Sequence, residues 1–189
     1  MLHFENPSLS VVVAKCSFLG FGVRDRYVFS LYRNSDLDDR IFVCLLTSIA
    51  AVQAEDVVAF FLFVNDLNGH HREWLGSKTT NCYGVAAFDF ATVSGCYQLV
   101  VGPSHAPGGT LDLLMTDVPD LVQVSVVAPI GNSDHSSLLA VISMAQDVPN
   151  LCVSRKIILN IKLIGIQFVV QCRICPGITF GLLTMLLRF

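Results

Sequence analysis

Hydrophobic and polar positions change period several times along this chain, and each change marks an element. Residues 9–14 (LSVVVA) and 26–32 (RYVFSLY) are short runs rich in Val, Phe and Tyr, separated by Gly20 and Gly22, and they predict two β-strands. From Asp36 onward, Ile41, Phe42, Leu45, Leu46, Ile49 and Ala50 recur at helical spacing behind the acids Asp36, Asp38 and Asp39. That pattern predicts a helix of about four turns whose acidic start complements the helix dipole. Residues 57–64 (VVAFFLFV) are apolar without alternation, as expected of a strand covered on both faces. The run GVAAFDFATVSG (84–95) predicts a second helix, entered through Thr79, Thr80 and Asn81 and stopped by Gly95. Further strands are predicted at 97–101, 110–115, 122–128 and 135–143. Helices followed by several strands with Gly and Pro turns predict an α/β layered domain without internal repeats.

From Ile157 to Phe189 the chain is mostly apolar, carries no acid, and keeps charge only at Lys162, Arg173 and Arg188. Lys162 and Arg173 divide it into pieces shorter than the roughly 20 residues that span a bilayer, so a membrane helix is not favoured and no stable membrane partner is expected. The whole chain, 189 residues and 53% hydrophobic, suits one domain plus ends. A net charge of −3 argues against a broad basic face for nucleic acid, so any phosphate would need a metal ion or a few placed donors. The seven cysteines are scattered through apolar stretches, a pattern of reduced thiols. With no signal-peptide pattern at the start, an intracellular protein is expected, nuclear or cytoplasmic.

Three polar sites interrupt apolar strands: Asp66 with Asn68, Asp112, and Asp134 with His135. Side chains at i and i+2 of a strand share a face, so Asp66 and Asn68 are expected to point into one pocket if the extended backbone persists. Asp134 and His135 are neighbours and should face apart, which leaves Asp112 as the acid that orients His135 and makes it a general base. Such a base contributes typically about 10²- to 10⁴-fold in rate. Asp66 and Asp134 are then free to hold a hard divalent cation, with Asn68 donating to a phosphoryl oxygen.

The ordered set SLYRN, NDLN, GGTLDLLMT and SDH resembles the C-terminal part of the endonuclease/exonuclease/phosphatase family. HHREWLGS, NCYGVAAFDFA and LLMTDVPDLV are most similar to the endonuclease domain of non-LTR retrotransposon polyproteins, which also carry a reverse transcriptase. The match runs from about Tyr27 to Lys156, with 1–156 as a partial domain and 157–189 as an apolar tail unrelated to the family. The resemblance implies a two-sheet α/β sandwich of the four-layer type, incomplete at the N-terminus, that hydrolyses phosphodiesters with Mg²⁺ or Mn²⁺ and takes DNA as substrate. It implies catalytic roles for Tyr32, Asp66, Asp112 and His135, phosphate binding by Asn68, and metal binding by Asp66 and Asp134. Asn65 stands where the family usually has Gly, a position expected to need a positive φ. The family's early Asn and Glu strands have no counterpart before Tyr32, so impaired activity and self-association through an uncovered sheet are expected. The alternative is a catalytically dead remnant acting at most as a binding or association module.

Other groups give blander readings. His70, His71 and Glu73 lack the i, i+4 helical spacing of a zinc protease and read as surface polarity. Cys172 and Cys175 form one CxxC without a second pair, and PGGT (107–110) lacks the Lys of a phosphate loop. Three consecutive residues such as SDH cannot form an in-line serine-hydrolase triad.

Overall fold

A computed structural model describes residues 2–6, 9–16, 26–33, 40–55, 59–106, 109–129, 131–145, 155–157, 169–173 and 180–187, with side chains for 27–29, 42–55, 59–106, 109–129 and 131–142. The described residues form a mixed α/β structure with two sheets. In the first sheet the order is β1 (Leu2–Asn6), β2 (Leu9–Cys16), β3 (Arg26–Arg33), β4 (Phe60–Asp66), β6 (Asp112–Thr116) and β5 (Tyr97–Gln98). The second runs β7 (Val122–Val127), β8 (Ser137–Ala145), β11 (Phe180–Leu187), β10 (Val169–Arg173) and β9 (Arg155–Ile157). The helices are α1 (Arg40–Glu55), the single turn α2 (Arg72–Leu75) and α3 (Cys82–Ser94). No helix among the described residues is long and apolar enough to cross a membrane.

The central strand β4 is buried along its whole length, in keeping with its unbroken apolar run. One face carries Phe61 and Phe63, which pack with Phe29 of β3, Met115 of β6, Leu45 and Ile49 of α1, and Ala87, Phe90 and Ala91 of α3. Phe29 stacks on Phe63 at 4.8 Å between ring centres, and Phe90 meets Phe63 edge-on at 5.2 Å. The other face presents Leu62 and Val64 beside Leu114 and Thr116, all fully buried, and ends in Asp66 and Asp112. On β8, alternate residues Leu138, Ala140 and Ile142 are likewise buried.

Several boundaries move relative to the sequence reading. The strand expected at 57–64 lies at Phe60–Asp66, so Asp66 is its last residue rather than part of the following loop. The strand expected at 97–101 is reduced to two residues, and β1 was not predicted although Leu2 and Phe4 alternate with His3 and Glu5. β1 and β2 extend the first sheet beyond β3. Helix α1 begins at Arg40 without an acid in its first turn, and Asp36, Asp38 and Asp39 lie outside the described residues. The apolar tail contributes β10 and β11, and β11 pairs with β8 from Phe180↔Ala145 to Leu187↔Leu138.

Helix α3 starts and stops where the capping residues indicate: Asn81 accepts from the Gly84 N–H at 2.9 Å, and Gly95 turns left-handed at φ 66°. Asn81 also accepts from the His70 N–H at 3.0 Å and donates to the Asn68 carbonyl at 3.2 Å, which clamps the loop after β4 onto the helix start. The clamp is so close that a Cβ on Gly84 would sit 2.0 Å from the His70 carbonyl oxygen. Helix propensity alone would favour Gly84→Ala by about 1 kcal/mol. The clash with fixed backbone outweighs it, and the substitution is expected to destabilise the protein by about 1–3 kcal/mol, read as a lower urea midpoint. A rise in midpoint would contradict this packing.

Candidate functional site

The register of β4 against β6 sets Asp66 directly across from Asp112. Cross-strand partners share a face, so both carboxylates lie at the same end of the sheet on the side away from α1 and α3. Asp112 is completely buried and Asp66 is 5% exposed. His135 arrives from the turn before β8, and its Nδ1 lies 3.0 Å from each carboxylate oxygen of Asp112. An ionised carboxylate only accepts, so Nδ1 carries the proton and Nε2 is left as the basic nitrogen. Asp66, Asp112 and His135 bring ligand-type atoms within 4.8 Å of one another.

Two further residues support the pair, and neither was singled out from sequence. Ser104 is fully buried, and its hydroxyl accepts from the Leu111 and Asp112 N–H groups at 3.1 and 3.0 Å. His105 pairs with Asp134, Nε2 to Oδ2 at 3.2 Å, and its ring lies edge-on to that of His135 at 4.6 Å. The segment holding Ser104 and His105 is laced to the His135 turn by Ser136 N–H to Ser104 O at 2.7 Å and Ala106 N–H to Asp134 O at 3.0 Å. The signal available in sequence was the sequence-distant pair SHAPGG and NSDHS, but nothing local says that they meet.

Asp134 does not orient His135. It is exposed, its partner is His105, and hydrogen bonds from its own backbone and from His105 hold its carboxyl below the usual range. Asp66 and Asp134, expected to share a cation, fall in separate clusters that both include His135.

Asn68 differs from the strand geometry assumed for it. β4 ends at Asp66, whose Oδ1 accepts from the Asn68 N–H at 3.3 Å, and Asn68 is exposed with φ 48°. Asp66 and Asn68 are therefore linked by a side-chain turn rather than by the period of a strand. The positive φ expected at Asn65 occurs at Asn68, and Asn65 is a strand residue, 1% exposed. Both polar atoms of its amide are buried without a hydrogen-bond partner among the described residues, at a cost of about 1–3 kcal/mol.

The backbone of Tyr32 lies in parallel register with Asp66, and its side chain is outside the described residues. Cys175 and the side chain of Cys172 are outside them too. His71 is half-buried rather than a surface group: its Nδ1 accepts from the Trp74 N–H at 3.2 Å to cap α2, and its ring stacks on Phe88. Neither His70, His71 nor Glu73 belongs to a metal-type cluster among the described residues. Cys96 is a buried thiol that burial pushes up to about 11, which makes it inert as a nucleophile.

Burial pushes the Asp112 carboxyl from 3.8 up to about 6, against the lowering effects of the Ser104 hydrogen bond and of His135, while the neighbouring Asp66 raises it further. Between those two values the folded protein holds a proton that the unfolded chain releases. The contribution of Asp112 to stability is therefore greatest below the lower value and is lost as pH rises toward the upper one, by on the order of 2–3 kcal/mol. Urea unfolding of metal-free protein from pH 4 to 7 is expected to show this decline, and Asp112→Asn to flatten it. An equal slope in the variant would contradict the assignment.

No protein-family model matches the chain, and a search of the curated proteins finds no match.

Proposed function

We propose that the protein is a metal-dependent phosphodiesterase that nicks DNA, with a two-sheet sandwich of the endonuclease/exonuclease/phosphatase type similar to retrotransposon endonucleases. The observation that carries this reading is the buried Asp112 carboxylate bound to Nδ1 of His135 at 3.0 Å, with Asp66 directly across the sheet. Residues far apart in sequence are brought together in the relationship that general-base hydrolysis needs.

The donor set suits a hard cation at Asp66. Two buried carboxylates stand side by side on adjacent strands, and after burial, the main cause of the upward push on Asp112, the like charge of Asp66 adds to it, which a divalent ion would offset. Mg²⁺ or Mn²⁺ would be held by Asp66 with water and phosphate oxygens, and would polarise the phosphoryl group. A net charge of −3 fits this dependence on a cation for meeting a polyanion.

The chain's own groups then divide the work. Asp112 fixes the tautomer of His135, so that Nε2 takes the proton from the attacking water and returns it to the leaving oxygen. Burial of Asp112 keeps water from competing for the Nδ1–H. Asn68, held beside Asp66 by the turn that links them, supplies an amide to a phosphate oxygen. Tyr32 enters by its backbone register beside Asp66. Asp134 sits at the open edge of the site and adds negative charge near His135.

Supercoiled plasmid incubated with the protein and Mg²⁺ is expected to become nicked circles, with chelator abolishing the reaction. His135→Ala is expected to lower the rate by about 10²- to 10⁴-fold with folding intact. Folded wild-type protein that nicks nothing in either Mg²⁺ or Mn²⁺ would leave the reading as a binding or association module instead.

A further inference from the structure

His105 has no role in the hydrolysis just described, yet it is held with some care. It forms an antiparallel bridge with His135 on one side and with Gly109 on the other. Bridge partners project from the same face, which accounts for the 4.6 Å between the two imidazole rings. Nε2 of His105 is 3.2 Å from Oδ2 of Asp134, and His105, Asp134 and His135 all bring a ligand-type atom within 4.8 Å of one another. The turn is fixed by the His135 N–H bond to Ser133 Oγ at 3.1 Å and by the Ala106 bond to the Asp134 carbonyl.

We infer that His105, Asp134 and His135 form a binding site for one borderline divalent transition ion, Zn²⁺ first among them, separate from the hard-cation position at Asp66. Two imidazoles and one carboxylate are the donors that Zn²⁺ prefers and that Mg²⁺ does not. With metal–ligand distances near 2.0–2.2 Å, tetrahedral donors lie about 3.3–3.5 Å apart, and the His105–Asp134 pair already approaches this spacing. The ion takes the place of the hydrogen bond between those two side chains, the neutral His105 ring keeping its one proton on Nδ1 and giving Nε2 to the metal.

A second observation supports the site independently. A histidine that binds metal almost always has its other ring nitrogen bonded to a carboxylate or a carbonyl, which fixes its orientation and raises its basicity. His135 has that partner in Asp112. Asp134, with its side chain 71% exposed, leaves the outer side open for entry of the ion and for a water as fourth ligand. Where the hydrolysis reading holds, on which this consequence alone rests, a Zn²⁺ ion here takes the nitrogen that His135 needs as a base, so binding of Zn²⁺ and use of His135 exclude each other.

Zn²⁺ titration by calorimetry of chelator-treated, reduced full-length protein tests the site without recourse to activity. One equivalent of Zn²⁺ is expected to be lost from the isotherm in His105→Ala and in Asp134→Asn, the latter at an exposed position. The same equivalent should weaken about 10- to 100-fold in Asp112→Asn and persist in Asp66→Asn. Survival of that equivalent in either His105→Ala or Asp134→Asn, its loss in Asp66→Asn, or absence of Zn²⁺ binding in the wild type would overturn the inference. Plasmid nicking in Mg²⁺ is a separate measurement, so failure of one reading is distinguishable from failure of the other.

Discussion

Which face of the first sheet receives Asp66 is decided by the pairing of β4 with β6. Side chains alternate with a period of two, so a slip of one residue would turn Asp66 toward α1 and α3 and set Asn65 in its place. The aromatic layer makes such a slip costly. Phe61 and Phe63 must face Phe29 and Phe90, and burying each ring stabilises the fold by about 1.5–3 kcal/mol relative to exposure. Thr116 and Asp117 add a lock at the far end, where the Thr116 hydroxyl donates to the Phe61 carbonyl and Asp117 accepts from the Phe61 N–H.

That apolar layer offsets groups that destabilise the fold. Asp112 is buried as a carboxylate beside a second acid, and Asn65 buries an amide without a described partner. Each costs on the order of 1–3 kcal/mol, comparable with a single ring of the aromatic core. The site accordingly lies at the end of the strands, where Ser104 and His135 can reach the acid, while Phe60 to Val64 of β4 are apolar and buried. The tight passage of His70 over Gly84 serves the same end by fixing the chain as it leaves Asp66.

Much of this was legible in the sequence because it is local. The caps Asn81 and Gly95, the unbroken apolar run of β4 and the helical repeat of α1 each declare themselves within a few residues. The partnership of Asp112 with His135 followed from chemistry, since the neighbouring Asp134 could not serve. Ser104 and His105 were missed because their roles arise only when the turn before β8 is laid against their loop. Asn68 sits differently from the strand expectation because the end of a strand is set by hydrogen bonding to its neighbours, and β4 stops at Asp66, two residues short of what the i, i+2 argument needs. The strands of the tail were hidden by composition, since an apolar run without period does not tell strand from helix.

The chemistry of the site turns on the buried Asp112 carboxylate, which fixes His135 with its proton on Nδ1. Long-range proton–nitrogen NMR of the imidazole groups in metal-free protein near pH 8 tests it most directly. His135 is expected to show a protonated Nδ1 and an unprotonated Nε2, and Asp112→Asn to lose this preference. A His135 ring protonated on Nε2 in the wild type would contradict it.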